Sequence, residues 1–226
     1  MLSPRYWFWA GVCVLAVFST GCNLLEIPFF ILGPEPKVPP LLHRIAPKEK
    51  EKETTAVILV ASNLETRTEL IRSDRDLALL LTQHLRDACK YNEEKVKVVP
   101  ASKVDNFKSE HPDWQKWDLL DIGRHFRADW VIYLEINDLS LYEKGSSNTL
   151  FRGRAQITVS LVDVKHPEEV PLQKDFTGQY PGEAKPPVEV NDSNSWQFRR
   201  AFLDYMAEQL AWYFTAHPTN KDYSCR

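Results

Sequence analysis

The 226-residue chain holds none of the short motifs that announce a common catalytic site. It has no Walker loop, no GxGxxG, no HExxH and no GxSxG. P-loop phosphoryl transfer, dinucleotide redox chemistry, helix-borne zinc proteolysis and the nucleophile elbow are thereby excluded as readings. No CxxC pair occurs among the four cysteines, and none of His43, His84, His111, His125, His166 and His217 sits at ligand spacing from another His or a Cys. A zinc ribbon or finger is excluded on the same ground. A basic surplus is also lacking: 28 Lys and Arg stand against 31 Asp and Glu, for a net charge of -3. Nucleic-acid binders usually show the opposite balance, so no nucleic-acid partner is expected. No internal repeat is present, which removes solenoids and propellers. No cofactor, no metal and no enzymatic activity are expected.

What is present begins with an export leader. Residues 1–22 read MLSPRYWFWAGVCVLAVFSTGC, with Arg5 ahead of an apolar stretch over residues 6–18. That stretch has signal-peptide length and is short for a bilayer span. Ser19, Thr20 and Gly21 are small and directly precede Cys22. This resembles the lipobox of bacterial lipoproteins, although Ser19 stands where Leu is usual. The resemblance implies cleavage between Gly21 and Cys22 and a diacylglycerol, with its palmitate-type chains, on the Cys22 sulfur. Two acyl chains are the physical minimum for stable anchoring. The same residues leave two alternatives: cleavage after Gly21 by a general signal peptidase, or a retained anchor extended by residues 24–33. Asn23, Glu26 and Pro28 interrupt that longer run, and a charge at membrane depth costs a few kcal/mol. Asn23 is not the retention Asp of the enteric sorting rule, which favours the outer membrane, facing the periplasm.

Residues 22–53 read as a tether. Pro28, Pro34, Pro36, Pro39, Pro40 and Pro47 remove backbone donors, and alternating Lys and Glu over residues 48–53 offer no apolar face. An apolar patch of Ile27, Phe29, Phe30, Ile31 and Leu32 stands out in it. Residues 54–217 carry the pattern of one globular domain, and residues 218–226 that of a flexible tail.

The domain opens on a β-branched apolar run over residues 54–61, expected as a buried strand. Ser73 and Asp76 form a capping-box pattern ahead of a helix over residues 74–90. Its inward face is Leu77, Leu80, Leu81, His84, Leu85, Ala88 and Cys89. A short strand at 96–99, a helical turn at 104–110 and a helix at 117–127 follow. A strand at 130–142 puts Trp130, Ile132, Leu134 and Ile136 on one side. Strands at 151–164 and 171–180 join it through polar turns, and a helix at 196–214 closes the domain. The order β-α-β-α-β-β-β-α predicts an α/β (α+β) fold: a single mixed β-sheet with helices packed on it.

The phrases Leu120-Asp121-Ile122-Gly123 and Phe126-Arg127-Ala128-Asp129-Trp130-Val131-Ile132, then residues 155–163 (AQITVSLVD) and 171–176, resemble one bacterial envelope superfamily. It covers the curli-secretion lipoprotein (CsgG), the amino-terminal domain of TolB and the penicillin-binding-protein activator lipoproteins. The resemblance implies an envelope assembly or accessory lipoprotein without catalysis. The hairpin at residues 143–149 is short and polar, unlike the long insertions of the channel-forming relatives, so no pore is expected. Apart from that resemblance, Asp129 has a physical reading of its own, as an acceptor for backbone amides where helix meets strand.

Several residues invite a chemical reading and have a plainer one. Asp74 with Asp76, and Glu93 with Glu94, are expected as cap and loop acids. Glu135 and Asp138 are expected at a solvent-facing strand end, and Asp163 at a turn. His84 is expected as a satisfied boundary residue, and His125 as half of a solvated pair with Asp121. Trp114, Trp117, Trp130, Trp196 and Trp212 are expected in the core or on a partner surface rather than in one sugar site. An oxidising compartment could join Cys89 to Cys225; the preferred expectation is a buried Cys89 and an unpaired Cys225 near the chain end. Together these residues point to a lipid-anchored, non-catalytic adaptor working with envelope proteins or with copies of itself. The alternative is an auxiliary transport lipoprotein that binds a lipid or a cell-wall fragment.

Overall fold

The computed structural model describes residues 36–47, 49, 52–62 and 70–219. The chain divides into two compact units, residues 1–36 and 37–226. Of the first only Pro36 is described, so Gly21, Cys22 and the apolar patch at 27–32 lie outside the described residues, as does Cys225.

The second unit is a mixed α and β fold. Strands β1 (Lys37–Val38), β2 (Thr54–Ser62), β3 (Val96–Val98), β4 (Trp130–Tyr142), β5 (Leu150–Asp163), β6 (Leu172–Tyr180), β7 (Val188–Glu189) and β8 (His217–Pro218) alternate with helices α1 (Ser73–Tyr91), α2 (Ala101–Glu110), α3 (Leu119–His125) and α4 (Ser195–Ala211). The main sheet runs β3-β2-β4-β5-β6, with β7 paired to the far end of β5. Pairs β2–β3 and β2–β4 are parallel, while β4–β5 and β5–β6 are antiparallel. This is the expected single mixed sheet in the expected order. Helical crossovers serve the parallel strands, and tight hairpins serve the antiparallel ones.

Burial follows from this topology. Strand β2 lies between two neighbours and under helices on both faces, which accounts for its unbroken apolar run. On one face Ile58, Ile132, Leu134, Ile157 and Val159 meet Leu77, Leu81 and Leu85 of α1 and Phe202, Met206 and Leu210 of α4. On the other, Val57, Leu59 and Val131 meet Val104 and Phe107 of α2 and Ile122 of α3. Gly123 allows α3 to approach the sheet: a Cβ there would stand 2.5 Å from a Val164 methyl and 2.8 Å from one of Val131.

Asp129 fixes the register of β2, β4 and β5. Its carboxylate accepts the Thr55 amide at 2.7 Å, and its own amide donates to the Thr55 carbonyl at 2.8 Å. Its carbonyl accepts the Val164 amide at 2.9 Å, and Lys165 pairs with the second carboxylate oxygen at 2.7 Å. The acceptor role expected of this residue is present, and its partner is a strand rather than the local turn.

Four local features differ from expectation, each for a physical reason. The helical turn at 104–110 is a full helix, α2, because Pro100 pre-sets its start and Ala101, Val104 and Phe107 bury one stripe. The Ser73–Asp76 capping box does not form. Arg72 in the left-handed region precedes α1, the Ser73 hydroxyl has no hydrogen-bond partner, and Asp76 pairs with Arg199 of α4 at 3.0 Å. The solvated His125–Asp121 pair is also absent: Asp121 pairs with Arg124 at 2.8 Å, and the His125 ring lies 4.9 Å from that of Phe107. In β4, a register shift between Ile136 and Asp138 leaves Asn137 out of the ladder. The shift turns Leu139 and Leu141 onto the face that already holds Ile132, Leu134 and Ile136.

Residues 37–46, within the proline-rich stretch, lie against the end of α4. The amides of Leu41, Leu42, His43 and Ile45 donate to the carbonyls of Trp212, Tyr213 and Phe214 at 3.0–3.2 Å. These carbonyls belong to the turn that follows α4, and the strap supplies their donors. Ile45 is 1% exposed, and β1 pairs with β8.

Three measurements test these points. Asp129→Ala leaves the Thr55 amide without its acceptor and should cost about 1–3 kcal/mol in urea unfolding. Asp129→Asn keeps a carbonyl acceptor and should cost less. Ile45→Ala should cost about 2–5 kcal/mol if its side chain belongs to the core; an unchanged urea midpoint would contradict that placement. Burial, reinforced by Glu94, pushes the Cys89 thiol from 9.0 to about 12. The native state then keeps a proton that the unfolded chain releases, so stability falls as pH rises from about 9 to 12, by up to about 1.4 kcal/mol per pH unit. Cys89→Ala should flatten that alkaline slope relative to the parent chain.

Candidate interaction surface

The residues with chemical potential are scattered and structurally engaged. His84 of α1 bonds Asp204 of α4 at 2.8 Å, at the boundary expected for it. His43 lies over Trp130, and His217 stacks on Trp212 with ring centroids 4.2 Å apart. His166 meets Asp163 at 2.8 Å. The hydrogen bond that the ring donates to Asp163, and then the charge of that carboxylate, raise the His166 pKa. For Asp163, burial pushes upward, yet His166 and the amides of Lys165 and His166 hold it below the ordinary carboxylate value.

Acids are similarly occupied. Glu94 receives Arg44 and the Thr215 hydroxyl, each at 2.8 Å. Glu143 at the hairpin base takes both Arg152 and Arg154. Glu135 stands on β4 before the register shift and Asp138 after it. Among the described residues no three His, Cys, Asp or Glu side chains gather as a metal site. No helix among them is long and apolar enough to cross a membrane.

The five tryptophans occupy separate places. Trp114 is buried under the Lys108 ammonium, 4.5 Å from its ring centre. Burial lowers the Lys108 pKa, and its ammonium donates to the Val60 carbonyl at 2.7 Å. Trp117 packs edge-on against Phe107, and Trp212 is buried. Only Trp196 of these five is mostly exposed, at 56%.

Trp196 marks the surface that stands out. Asn194 caps α4 by accepting the Gln197 amide at 2.8 Å, which places Trp196 in the first turn. Its ring lines a groove of about 160 Å³ between α1 and α4, opposite Leu79, with Leu80 and Leu203 also in the wall. Leu79 is 48% exposed. Arg200 lies 5.8 Å from the Trp196 ring centre. Arg199 spans the groove, pairing with Asp76 and donating to the Ile71 carbonyl at 3.1 Å. Ile71 is itself 45% exposed. The groove therefore has an apolar wall from each of two helices, with Asp76, Gln83, Arg199 and Arg200 as its polar lining. Sequence periodicity signals half of it: Leu79 falls off the inward stripe of α1, so an apolar side chain was left facing water. The pairing of α1 with α4 that brings Trp196 opposite it has no local signal.

A second open region is the polar side of the antiparallel strands. Asn137 donates to the Thr158 hydroxyl at 2.8 Å, and Thr158 donates to Asp175 at 3.1 Å, tying β4, β5 and β6. Strand β6 ends the main sheet, with Gln173, Lys174 and Asp175 exposed.

No family model and no curated protein sequence matches the chain. Solved structures do show a likeness. The PelC dodecamer from Paraburkholderia phytofirmans is 13% identical with a TM-score of 0.40, covering 79% of this chain and 96% of that one. Lipoprotein GNA1162 from Neisseria meningitidis is 14% identical with a TM-score of 0.42, over 70% and 98%. Protein XCC0632 from Xanthomonas campestris is 10% identical with a TM-score of 0.44, over 78% and 92%. Bacterial lipoproteins thus occur among the structural neighbours, and the resemblance of residues 119–176 to the superfamily of CsgG and TolB is not confirmed by them. Likeness at this level assigns no function.

Proposed function

We propose that the chain is a lipid-anchored adaptor of the bacterial envelope, held by Cys22 and recruiting a protein partner through the groove between α1 and α4. The observation that carries the docking role is that two of the exposed large apolar side chains, Trp196 and Leu79, line one groove. Exposed apolar groups rimmed by charge mark interaction sites more often than accidents of folding. Trp and Arg are among the residues enriched at the energetic centres of protein interfaces. The engaged state of the acids and histidines supports a non-catalytic role, since general acid–base chemistry needs a free pair converging in one cleft. The leader residues Ser19 to Cys22 support the anchor, and Asn23 supports the outer membrane.

Two experiments test this reading. Mass spectrometry of the mature protein should find residue Cys22 at the N-terminus carrying diacylglycerol; an unmodified thiol, or a leader still attached, would refute the anchor. A photo-crosslinking residue at position 196, in intact cells, should capture a specific protein that the same residue at position 144 does not. Trp196→Ala should weaken that partner's binding by about 2 kcal/mol or more. Because the side chain is exposed, folding stability should move by about 0.5 kcal/mol at most. Equal capture from both positions would reject the groove.

A further inference from the structure

On the opposite side of the sheet from the groove lies a second concavity, an open cleft of about 650 Å³. That is within the size range of small-molecule sites. Three cations from three elements line it: Lys97 of β3, Lys103 of α2, and Arg127 in the turn that leads to β4. Each is exposed, and none of the three has an ion-pair partner among the described residues. By contrast Arg44, Arg75, Arg124, Arg152, Arg154 and Arg199 are each matched to a carboxylate. Glu110 is the one acid in the cleft lining, so positive charge predominates there although the whole chain is net negative.

The cleft also has an apolar wall. Phe107 is buried, Phe126 is half-buried, and their rings meet edge-on at 5.2 Å. His125 lies 5.0 Å from the Phe126 ring. Pro100, the residue ahead of α2, lines the same space, so the positive end of that helix dipole adds to the field. Arg127 has φ 50, a left-handed conformation that sets this arginine at the junction of α3 and β4. A planar guanidinium can take two oxygens of one phosphate, and two ammonium groups can take others.

From this arrangement we infer that the cleft binds a phosphate-bearing ligand, with the phosphates on Lys97, Lys103 and Arg127 and a less polar part against Phe126 and Val99. The chemistry fits either a soluble phosphate ester or the phosphate of an anionic lipid headgroup. The inference goes beyond the adaptor reading and needs neither the Cys22 lipid nor the Trp196 groove.

The mature full-length protein should bind inorganic pyrophosphate in calorimetry, more weakly as salt is raised. Lys103→Glu combined with Arg127→Glu should weaken that binding at least about tenfold, a change of about 1.4 kcal/mol. Lys144→Glu combined with Lys185→Glu, at the far hairpin end, should leave it within about twofold of the parent. Thermal melts of both variants control for folding. A parallel arm uses vesicles of phosphatidylglycerol in phosphatidylcholine against phosphatidylcholine alone. Cleft-dependent pyrophosphate binding with no headgroup preference assigns a soluble ligand; a cleft-dependent preference for phosphatidylglycerol assigns the headgroup. If neither probe binds, or if the two double variants weaken binding equally, the inference is overturned.

Discussion

The whole molecule hangs on the pairing of β2 with β4. Side chains alternate between the two faces of a strand, so a slip of one residue would exchange Val57 and Leu59 for Ala56 and Ile58. Both sets are buried here, under different helices. Hydrophobicity alone would therefore distinguish the two registers poorly, because either choice buries apolar side chains. Asp129 supplies the discrimination. Its carboxylate and its backbone together clasp Thr55 on one side, and its carbonyl holds Val164 on the other. Three strands are thus aligned by a single residue at the mouth of β4, and α2 and α3 can then pack against a sheet whose faces are already defined.

The electrostatics of the domain follow a different rule on each side. On the α1 and α4 side and at the hairpin base, several arginines are matched to carboxylates and join elements: Arg199 couples α4 to α1, and Glu143 gathers two arginines at the end of β5. Paired charges of this sort add little affinity for outside ions. The cleft beside β3 departs from this, because three cations line it against the single carboxylate of Glu110 and none of the three is in an ion pair among the described residues. The apolar groove and the cationic cleft lie on opposite helical layers, one on the α1 and α4 side and the other beside α2 and α3. A protein partner and a small anion could be held at once without competing for space.

The element order was legible in the sequence because strands buried on both faces read as unbroken apolar runs, and helices covering one face read as stripes. The residues 54–61 and the stripe of Leu77, Leu81 and Leu85 are of this kind. Asp129 was legible too, since an Asp between helix and strand has few uses other than accepting amides. The register shift in β4 left a trace, a change in parity between Ile136 and Leu139, that alternation alone does not interpret. Ile45 left almost none: one isoleucine among prolines and charges has no periodicity, and its burial depends on α4, more than 150 residues away in the chain. The groove and the cleft were illegible for the same reason. Trp196 and Leu79 line one groove, and Lys97 and Arg127 one cleft, only because distant segments are brought together by the fold.

The short ladder between β1 and β8 sets Lys37 opposite Pro218. The folded unit therefore begins and finishes at one pole, beside Asn92 at the closing end of α1. Trp196 stands near the opening end of the same helix, whose 19 residues span about 28 Å. Residues 37 and 218, nearly the full length of the folded unit apart in sequence, are thus neighbours in space at the pole away from the groove.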